Sequence, residues 1–279
     1  MKAKKQLRKA IIPAAGMGTR VQSLTQGQGL PKEMLPIAGK PLISYAIQEA
    51  ALCHLDKLYI VINEHKGVLR RYLESEDLAR AIRSERRGQA VSLPCLTFVD
   101  QPMPLGTGDA IYRARLLIGE EPFALMMPDF VLFSRTPVLA QMIPLYERFG
   151  DDIVALIHVS GKAAEGFGNV GIVQGQEQEP GIVAIQGISG KTPNPLVLRE
   201  EEQVLKAAPR WILGPHFFDY LERIKGEGEW DDTPAFQLLC TERKVLGRIL
   251  EGRGFDVGNP LGYEAAQAFA QELDARAKR

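Results

Sequence analysis

The sequence predicts an α/β fold, a mostly parallel mixed sheet with helices on both faces. Two observations carry this. Short apolar runs recur through the first 160 residues, and between them lie stretches with apolar residues at helical spacing. Such alternation is the pattern of strands buried under helices on both sides.

The elements follow in order. Ala10-Ile11-Ile12-Pro13-Ala14 is a short apolar run ending at glycines, and reads as a buried strand. A polar, glycine-containing loop is expected from Ala15 to about Lys40. Pro41 suits the opening of a helix that Leu42, Tyr45, Ala46 and Glu49 continue. Leu58 to Ile62 is the next strand, followed by helical stretches at about Lys66–Ser75 and Glu76–Gly88. Strands are expected at Leu96–Val99, Phe123–Met127 and Ile153–Val159, and helices at Thr107–Leu117 and Pro137–Arg148.

After about residue 160 the rhythm changes. Asn169–Val173 and Gly181–Gln186 read as a hairpin. Gly187 to Ala208 is rich in Pro, Gly and charge and reads as loop. A short strand at Trp211–Leu213, helices at His216–Lys225 and Pro234–Arg243, a strand at Val245–Leu250 and a helix at Pro260–Ala275 complete the chain. One domain over 1–279 is expected.

Composition excludes several classes. Of 279 residues, 45% are hydrophobic and 24% charged, as in an ordinary globular chain that can bury a core unaided. Lys plus Arg is 34 and Asp plus Glu is 34, so no general attraction to nucleic acid or anionic membrane is expected. The basic run Lys2, Lys4, Lys5, Arg8, Lys9 reads as a solvated lead-in. No apolar segment follows it as in a secretory leader, and no apolar run approaches the ~18 residues of a membrane span. The cytoplasm is the expected location. Cys53, Cys95 and Cys240 lack CxxC spacing and are expected as buried or half-buried thiols. His54, His65, His158 and His216 form no ligand spacing.

The strongest local signal is Gly16-Met17-Gly18-Thr19-Arg20, directly after the first strand. Glycines let the backbone approach a ligand closely, so several N–H groups can face one polyphosphate. Arg20 adds a cation suited to phosphate oxygens. The spacing is neither GxxxxGK[ST] nor GxGxxG, which argues against a P-loop and against a nicotinamide or flavin fingerprint. Alone, the loop is equally a tight strand-to-helix turn. Pro31-Lys32-Glu33-Met34-Leu35-Pro36 follows, with Lys32 in a loop restrained by two prolines. Alone, it is a surface lysine.

Together, AAGMGTR and PKEMLPIAGKPLI resemble the sugar nucleotidylyltransferase signature GxGTR…PKxMLPxxxKP, and the PKEMLP wording is that of the bacterial uridylyltransferases that join UTP to glucose 1-phosphate. The resemblance runs over roughly residues 7–270 and is dense in the first half. It implies a Rossmann-like fold of the nucleotide-diphospho-sugar transferase type. It also implies a nucleotide part at about 7–160 and a sugar-binding and oligomerisation part at about 161–279. A homodimer or homotetramer is implied too.

The resemblance assigns site residues. Ala14, Ala15, Gly16, Gly18 and Thr19 would bind the nucleotide phosphates, with Arg20 and Lys32 neutralising charge. Gln101 would read a pyrimidine edge and Gly106 would pack against the base; an amide can both donate to and accept from uracil or thymine. Asp129, after the strand that ends at Pro128, and Asp256, in Asp256-Val257-Gly258-Asn259, would hold Mg²⁺, which favours one or two carboxylates plus phosphate oxygens. Each is also an ordinary turn residue. Gly168 would contact the sugar, with Asn169 as an insertion. The family's Glu-Lys-Pro element is altered to Gly190-Lys191-Thr192-Pro193. Lys191 stands in for the lysine that grips the sugar phosphate, and no glutamate precedes it. The implied reaction transfers a uridylyl group from UTP to glucose 1-phosphate. Two alternatives stay open: another pyrimidine nucleotide with another sugar 1-phosphate, or a degenerate nucleotide-binding regulatory homologue.

Overall fold

A computed structural model describes residues 6–25, 30–83, 92–168, 171–191 and 196–277. Lys2, Lys4, Lys5, Asn169 and the end of the helix expected to Gly88 lie outside the described residues.

In chain order the strands are β1 (Lys9–Pro13), β2 (Pro36–Ile37), β3 (Lys40–Pro41), β4 (Lys57–Ile62), β5 (Cys95–Asp100), β6 (Phe123–Met126), β7 (Phe130–Phe133), β8 (Asp152–Ser160), β9 (Val173–Glu179), β10 (Ile182–Ile188), β11 (Gln203–Leu213), β12 (Val245–Ile249) and β13 (Arg253–Asp256). The α-helices are α1 (Gln22–Thr25), α2 (Leu42–Leu52), α3 (Gly67–Leu73), α4 (Glu76–Arg83), α5 (Thr107–Arg113), α6 (Arg115–Ile118), α7 (Val138–Phe149), α8 (Phe217–Arg223), α9 (Thr233–Glu242) and α10 (Pro260–Ala277).

Nine strands form one sheet in the order β5-β4-β1-β6-β11-β8-β12-β10-β9. Neighbours from β5 to β6 are parallel, and β12 is parallel to β8. β11 runs antiparallel between β6 and β8. The fold class is therefore the expected one. Ile12, Ile60 and Ala124 on one face meet Ala46, Leu69 and Leu139 from α2, α3 and α7. Ile11, Leu125 and Trp211 on the other meet Ile111, Phe218 and Leu239 from α5, α8 and α9. Both faces are dry, which is why the strands read as continuous apolar runs rather than alternating ones.

Four features depart from the sequence reading. First, the expected loop from 187 to 208 ends early, because β11 already begins at Gln203 and is 11 residues long. Lys206, Pro209 and Arg210 disguise it. The strand bulges between Ala207 and Trp211, which accommodates Pro209. Second, the loop after β1 contains a 3₁₀ turn at Thr19–Val21, another at Lys32–Met34, and the small hairpin β2–β3. Third, the hairpin at 169–186 is present but lies further along, as β9 and β10. Fourth, Cys95 is exposed at the start of edge strand β5. All three cysteines are free, and burial pushes the Cys53 and Cys240 thiols up to about 12, which keeps them inert.

A third apolar cluster joins Leu35, Ile37, Val131, Phe255 and Ala266. It packs α10 and the β7–β13 ribbon against the Pro31–Pro41 segment. Tyr263 Oη and Gln267 Nε2 each donate to Pro36 O at 2.7 Å, and Ala38 N donates to Gln267 Oε1 at 3.2 Å.

Candidate active site

The carboxyl ends of β1, β5 and β6 open onto a cleft of about 540 Å³. Ala15, Gly16, Thr19, Arg20, Lys32, Gln101, Gly106, Asp129, Lys191 and Asp256 all line it. Ala14, Gly18 and Gly168 are not among the residues that line it. Ala14 N donates to Val61 O at 2.8 Å, so that amide is spent on the sheet.

The glycine loop is tethered at its base. Asn63 Nδ2, just past β4, donates to Ala15 O at 2.6 Å. Gly18 has φ +69°, and a Cβ there would lie 3.3 Å from Lys32 Cβ. Glycine is needed twice over, for the left-handed turn and for the close passage of the Lys32 stem. The Lys32 turn is itself fixed from below, because its neighbour Glu33 is buried and accepts from Lys66 Nζ at 2.7 Å.

Lys32 Nζ donates to Asp129 Oδ2 at 3.0 Å, and an Arg20 guanidinium nitrogen lies 3.8 Å from the same oxygen. Burial opposes both charges. The pairing outweighs it, so Lys32 is held above its usual value and Asp129 below.

Asp129 ends the β6 turn, and β7 starts at the next residue. In the β7–β13 ribbon Asp256 is registered against Phe130, which brings the two aspartates side by side. Val257 N donates to Asp129 O at 2.9 Å. A Cβ on Gly258 would lie 2.9 Å from Asp129 Oδ2 and 3.1 Å from Asp256 Oδ1, so both carboxylates aim at one small space. Burial and the Asp129 charge push Asp256 up, against the pull of Arg20. Two hard oxygen ligands converging beside phosphate-binding cations fit Mg²⁺, which keeps water and phosphate oxygens for its other positions. Among the described residues no larger ligand cluster exists. Asn259 caps α10 by accepting from Gly262 N at 2.8 Å.

Arg210, fully buried on β11, supports the Asp129 turn from behind. It donates to Met127 O, to Phe130 O at 3.3 Å and to Glu49 Oε2 at 3.1 Å. Burial raises the Glu49 carboxyl even though Arg210 opposes the shift.

At the base end, Gln101 Nε2 donates to Gly106 O at 2.9 Å and Asp109 Oδ2 at 2.8 Å. The amide nitrogen is engaged, so the carbonyl oxygen is what Gln101 can offer, an acceptor suited to the N3–H of uracil or thymine. Gly106 (φ +104°) passes within contact of Trp230; its Cβ would meet Trp230 O at 2.5 Å. Gly108 N donates to Trp230 O at 2.8 Å, and Trp230 N to Leu105 O at 2.6 Å.

The end of the cleft near Lys191 departs from the motif reading. Gly168 N donates to Asp256 Oδ2 at 3.3 Å, so it positions that carboxylate and does not line the cleft. Lys191 is 58% exposed and pairs with Asp231 at 3.0 Å. Asp232, Trp211 and Lys206 also line the wall, and motif reading singled out none of them. Burial brings the Lys206 ammonium down to about 8, against the pull of Asp256.

The sequence matches the family described as Nucleotidyl transferase over residues 9–272. The UTP–glucose-1-phosphate uridylyltransferase YngB of Bacillus subtilis (strain 168) is 31% identical over 269 residues, covering 93% of this chain and 88% of that protein. The UTP–glucose-1-phosphate uridylyltransferase 2 of Staphylococcus saprophyticus is 31% identical over 272 residues, covering 93% of this chain and 90% of that protein. A UDP-glucose pyrophosphorylase crystallised with UDP-glucose aligns at a TM-score of 0.78 with 30% identity, over 96% of this chain and 100% of that one. These matches run from the glycine loop to the turn at Asp256 and beyond, and the chain belongs to the nucleotidyl transferase family.

Proposed function

We propose that this enzyme transfers a uridylyl group from UTP to glucose 1-phosphate, releasing pyrophosphate and giving UDP-glucose. One observation carries the reading: Arg20 and Lys32 converge on Asp129 inside the cleft that Gln101 and Gly106 also line.

The chemistry needs little from the protein beyond placement. A sugar phosphate oxygen is already an anionic nucleophile and requires no general base. It attacks the α-phosphorus of UTP, the bond from that phosphorus to its leaving oxygen breaks, and pyrophosphate departs in line. The barrier comes from bringing two polyanions together and aligning them. Amides of Gly16 to Thr19 cradle the triphosphate. Arg20 steadies the departing phosphates, and Lys32 neutralises charge near the α-phosphate. Asp129 and Asp256 would hold Mg²⁺, whose contribution is charge neutralisation between the two phosphates. Gln101 and Gly106 accommodate the base. Residues of about 7–160 serve the nucleotide and those of about 161–279 the sugar and subunit contacts.

A second reading keeps the chemistry and changes the sugar. Gly190 stands where the family pattern places a glutamate, so the contact to the sugar hydroxyls differs. A panel of nucleoside triphosphates and sugar 1-phosphates, with and without Mg²⁺, decides by pyrophosphate release. UTP with glucose 1-phosphate should be the fastest pair. A faster pair would replace this reading, and nucleotide binding without turnover on any sugar would make the chain a regulatory homologue.

A homodimer or homotetramer in the cytoplasm is part of the proposal, to be checked by light scattering. Among the described residues no helix is long and apolar enough to cross a membrane.

A further inference from the structure

Two lysines reach the sugar end of the cleft, and they differ in setting. Lys191 lies at the rim, more than half exposed, with its ammonium on Asp231 at 3.0 Å. Lys206 is buried in the wall, only 5% exposed. It sits on β11 opposite Ile157 of β8 and bridges to Ile172. Its backbone is clamped there, because Ala207 N donates to Gly171 O at 2.7 Å. Gly171 has φ +77°, and a Cβ at that position would lie 4.0 Å from Lys206 Nζ.

Lys206 and Asp256 line the same cleft, whereas the Lys191 ammonium is tied to Asp231 at 3.0 Å. Asp256 is the carboxylate whose charge acts on Lys206, whereas Asp231 holds Lys191. Asp256 also converges with Asp129 on the space beside Gly258. A sugar 1-phosphate entering from the β9–β11 side must bring its phosphate next to those carboxylates to meet the nucleotide. Lys206 lines the cleft with both of them, from a buried position on β11.

We propose that Lys206 grips the phosphate of the sugar 1-phosphate, the role that motif reading gives to Lys191. The assignment rests on the reading of the cleft as a nucleotide and sugar 1-phosphate site. A buried ammonium on a strand is a fixed donor with little freedom left to lose, so its contact to a phosphate oxygen is better pre-organised than one from a rim lysine. Lys191 then acts through Asp231, shaping the rim.

Equilibrium binding separates this from the proposed reaction. UDP-glucose carries a phosphate at the position the sugar phosphate occupies, and UTP does not reach the sugar wall. Calorimetric titration of wild type and Lys206→Met with each ligand is the test. Lys206→Met should bind UDP-glucose at least about tenfold more weakly and UTP within about twofold of wild type, as for loss of one charge-assisted contact. Lys206→Arg should recover part of the loss, and Lys191→Met should lose less than Lys206→Met. Equal losses for both ligands would mean a structural role and overturn the assignment. So would unchanged UDP-glucose binding, or a larger loss in Lys191→Met. If Lys206→Met does not fold, Lys206→Gln gives the same comparison. Wild type that binds UDP-glucose but releases no pyrophosphate in the substrate panel would refute the reaction alone. Wild type that binds neither ligand would overturn both.

Discussion

Lys32 Nζ lies 3.0 Å from Asp129 Oδ2, although the two residues are 97 positions apart. Both side chains are less than one-fifth exposed, so the pair is weakly screened. Lys32→Met leaves Asp129 with Arg20 as its remaining cation and Asp256 as a nearby like charge. Stability should fall by about 1–3 kcal/mol, read by urea unfolding. Turnover should fall roughly 10²–10³-fold, read as pyrophosphate release. Asp129→Ala should keep the fold and lose turnover to a similar extent. Full activity in either variant would remove the charge-neutralisation role.

Gly258, whose amide donates to Asp256 Oδ1 at 3.0 Å, tests the proposed metal site without replacing either carboxylate. Its Cβ would intrude to 2.9 Å from Asp129 Oδ2 and 3.1 Å from Asp256 Oδ1. In Gly258→Ala one carboxylate must turn away. The Mg²⁺ concentration for half-maximal activity should rise about tenfold or more, while UTP affinity measured in chelator changes little. Wild type treated with chelator should lose turnover and regain it on adding Mg²⁺. An unaltered Mg²⁺ dependence in the variant would place the ion elsewhere.

Arg210 never meets substrate yet should control the rate. Its guanidinium holds Met127 O and Phe130 O, the carbonyls bracketing Asp129, and it answers the buried Glu49. Arg210→Met strands that carboxylate and should cost about 3–5 kcal/mol in chemical denaturation. The Glu49→Met, Arg210→Met double variant should recover part of that stability but not the turnover, since the carbonyls remain undonated.

Gly106→Ala combines two penalties. The residue sits at φ +104°, and the new methyl would press to 2.5 Å from Trp230 O. A loss of about 1–3 kcal/mol is expected, with weaker UTP binding as the base loop and the Trp230 segment separate. Calorimetry on the purified variant reads both quantities. Wild-type affinity would mean that the nucleobase does not depend on this contact.

Asp231 and Asp232 share one hydrogen bond in the cleft wall. Burial, that bond and the Asp231 charge push Asp232 up to about 7, with Lys191 opposing. A raised carboxyl pKa means the folded chain favours the protonated acid. That contribution is complete below the ordinary carboxyl value, falls progressively above it and is gone once pH passes about 7. Asp231 moves the opposite way and stays ionised across this window. Asp232→Asn should therefore gain more in Tm at pH 8.5, roughly 2–4 °C, than at pH 5.5, where only part of the contribution is lost, followed by thermal melts across pH. A pH-independent difference would contradict the shared proton.

The half of the candidate site built on the glycine loop is legible because its determinants are local. Gly16, Gly18 and Arg20 lie within five residues, and Lys32 sits between two prolines. Asp129 is marked by the end of an apolar strand. Asp256 is legible only as a motif, because its closeness to Asp129 depends on the β7–β13 register, and no run of four residues announces a two-stranded ribbon. Lys206 and Arg210 are hidden for a different reason. A strand normally shows its burial by apolar residues, but here the polar side chains face a cleft and a buried carboxylate, so β11 resembles a charged loop. Gly168 illustrates a motif that finds the right neighbourhood and the wrong contact, since its amide serves Asp256.

The bracing of Pro36 by Tyr263 and Gln267 has a bearing on how the molecule is made. The hairpin after Lys32 is fastened by side chains from α10, so a growing polypeptide synthesises the Gly16–Lys32 segment early and can lock that hairpin only once Gln267 has emerged. β11 enters the middle of the sheet only after some 200 residues have emerged, which leaves β6 with an open edge until then. Premature termination before α10 would yield a chain with most of its core but a loosened hairpin, whatever its nucleotide residues spell.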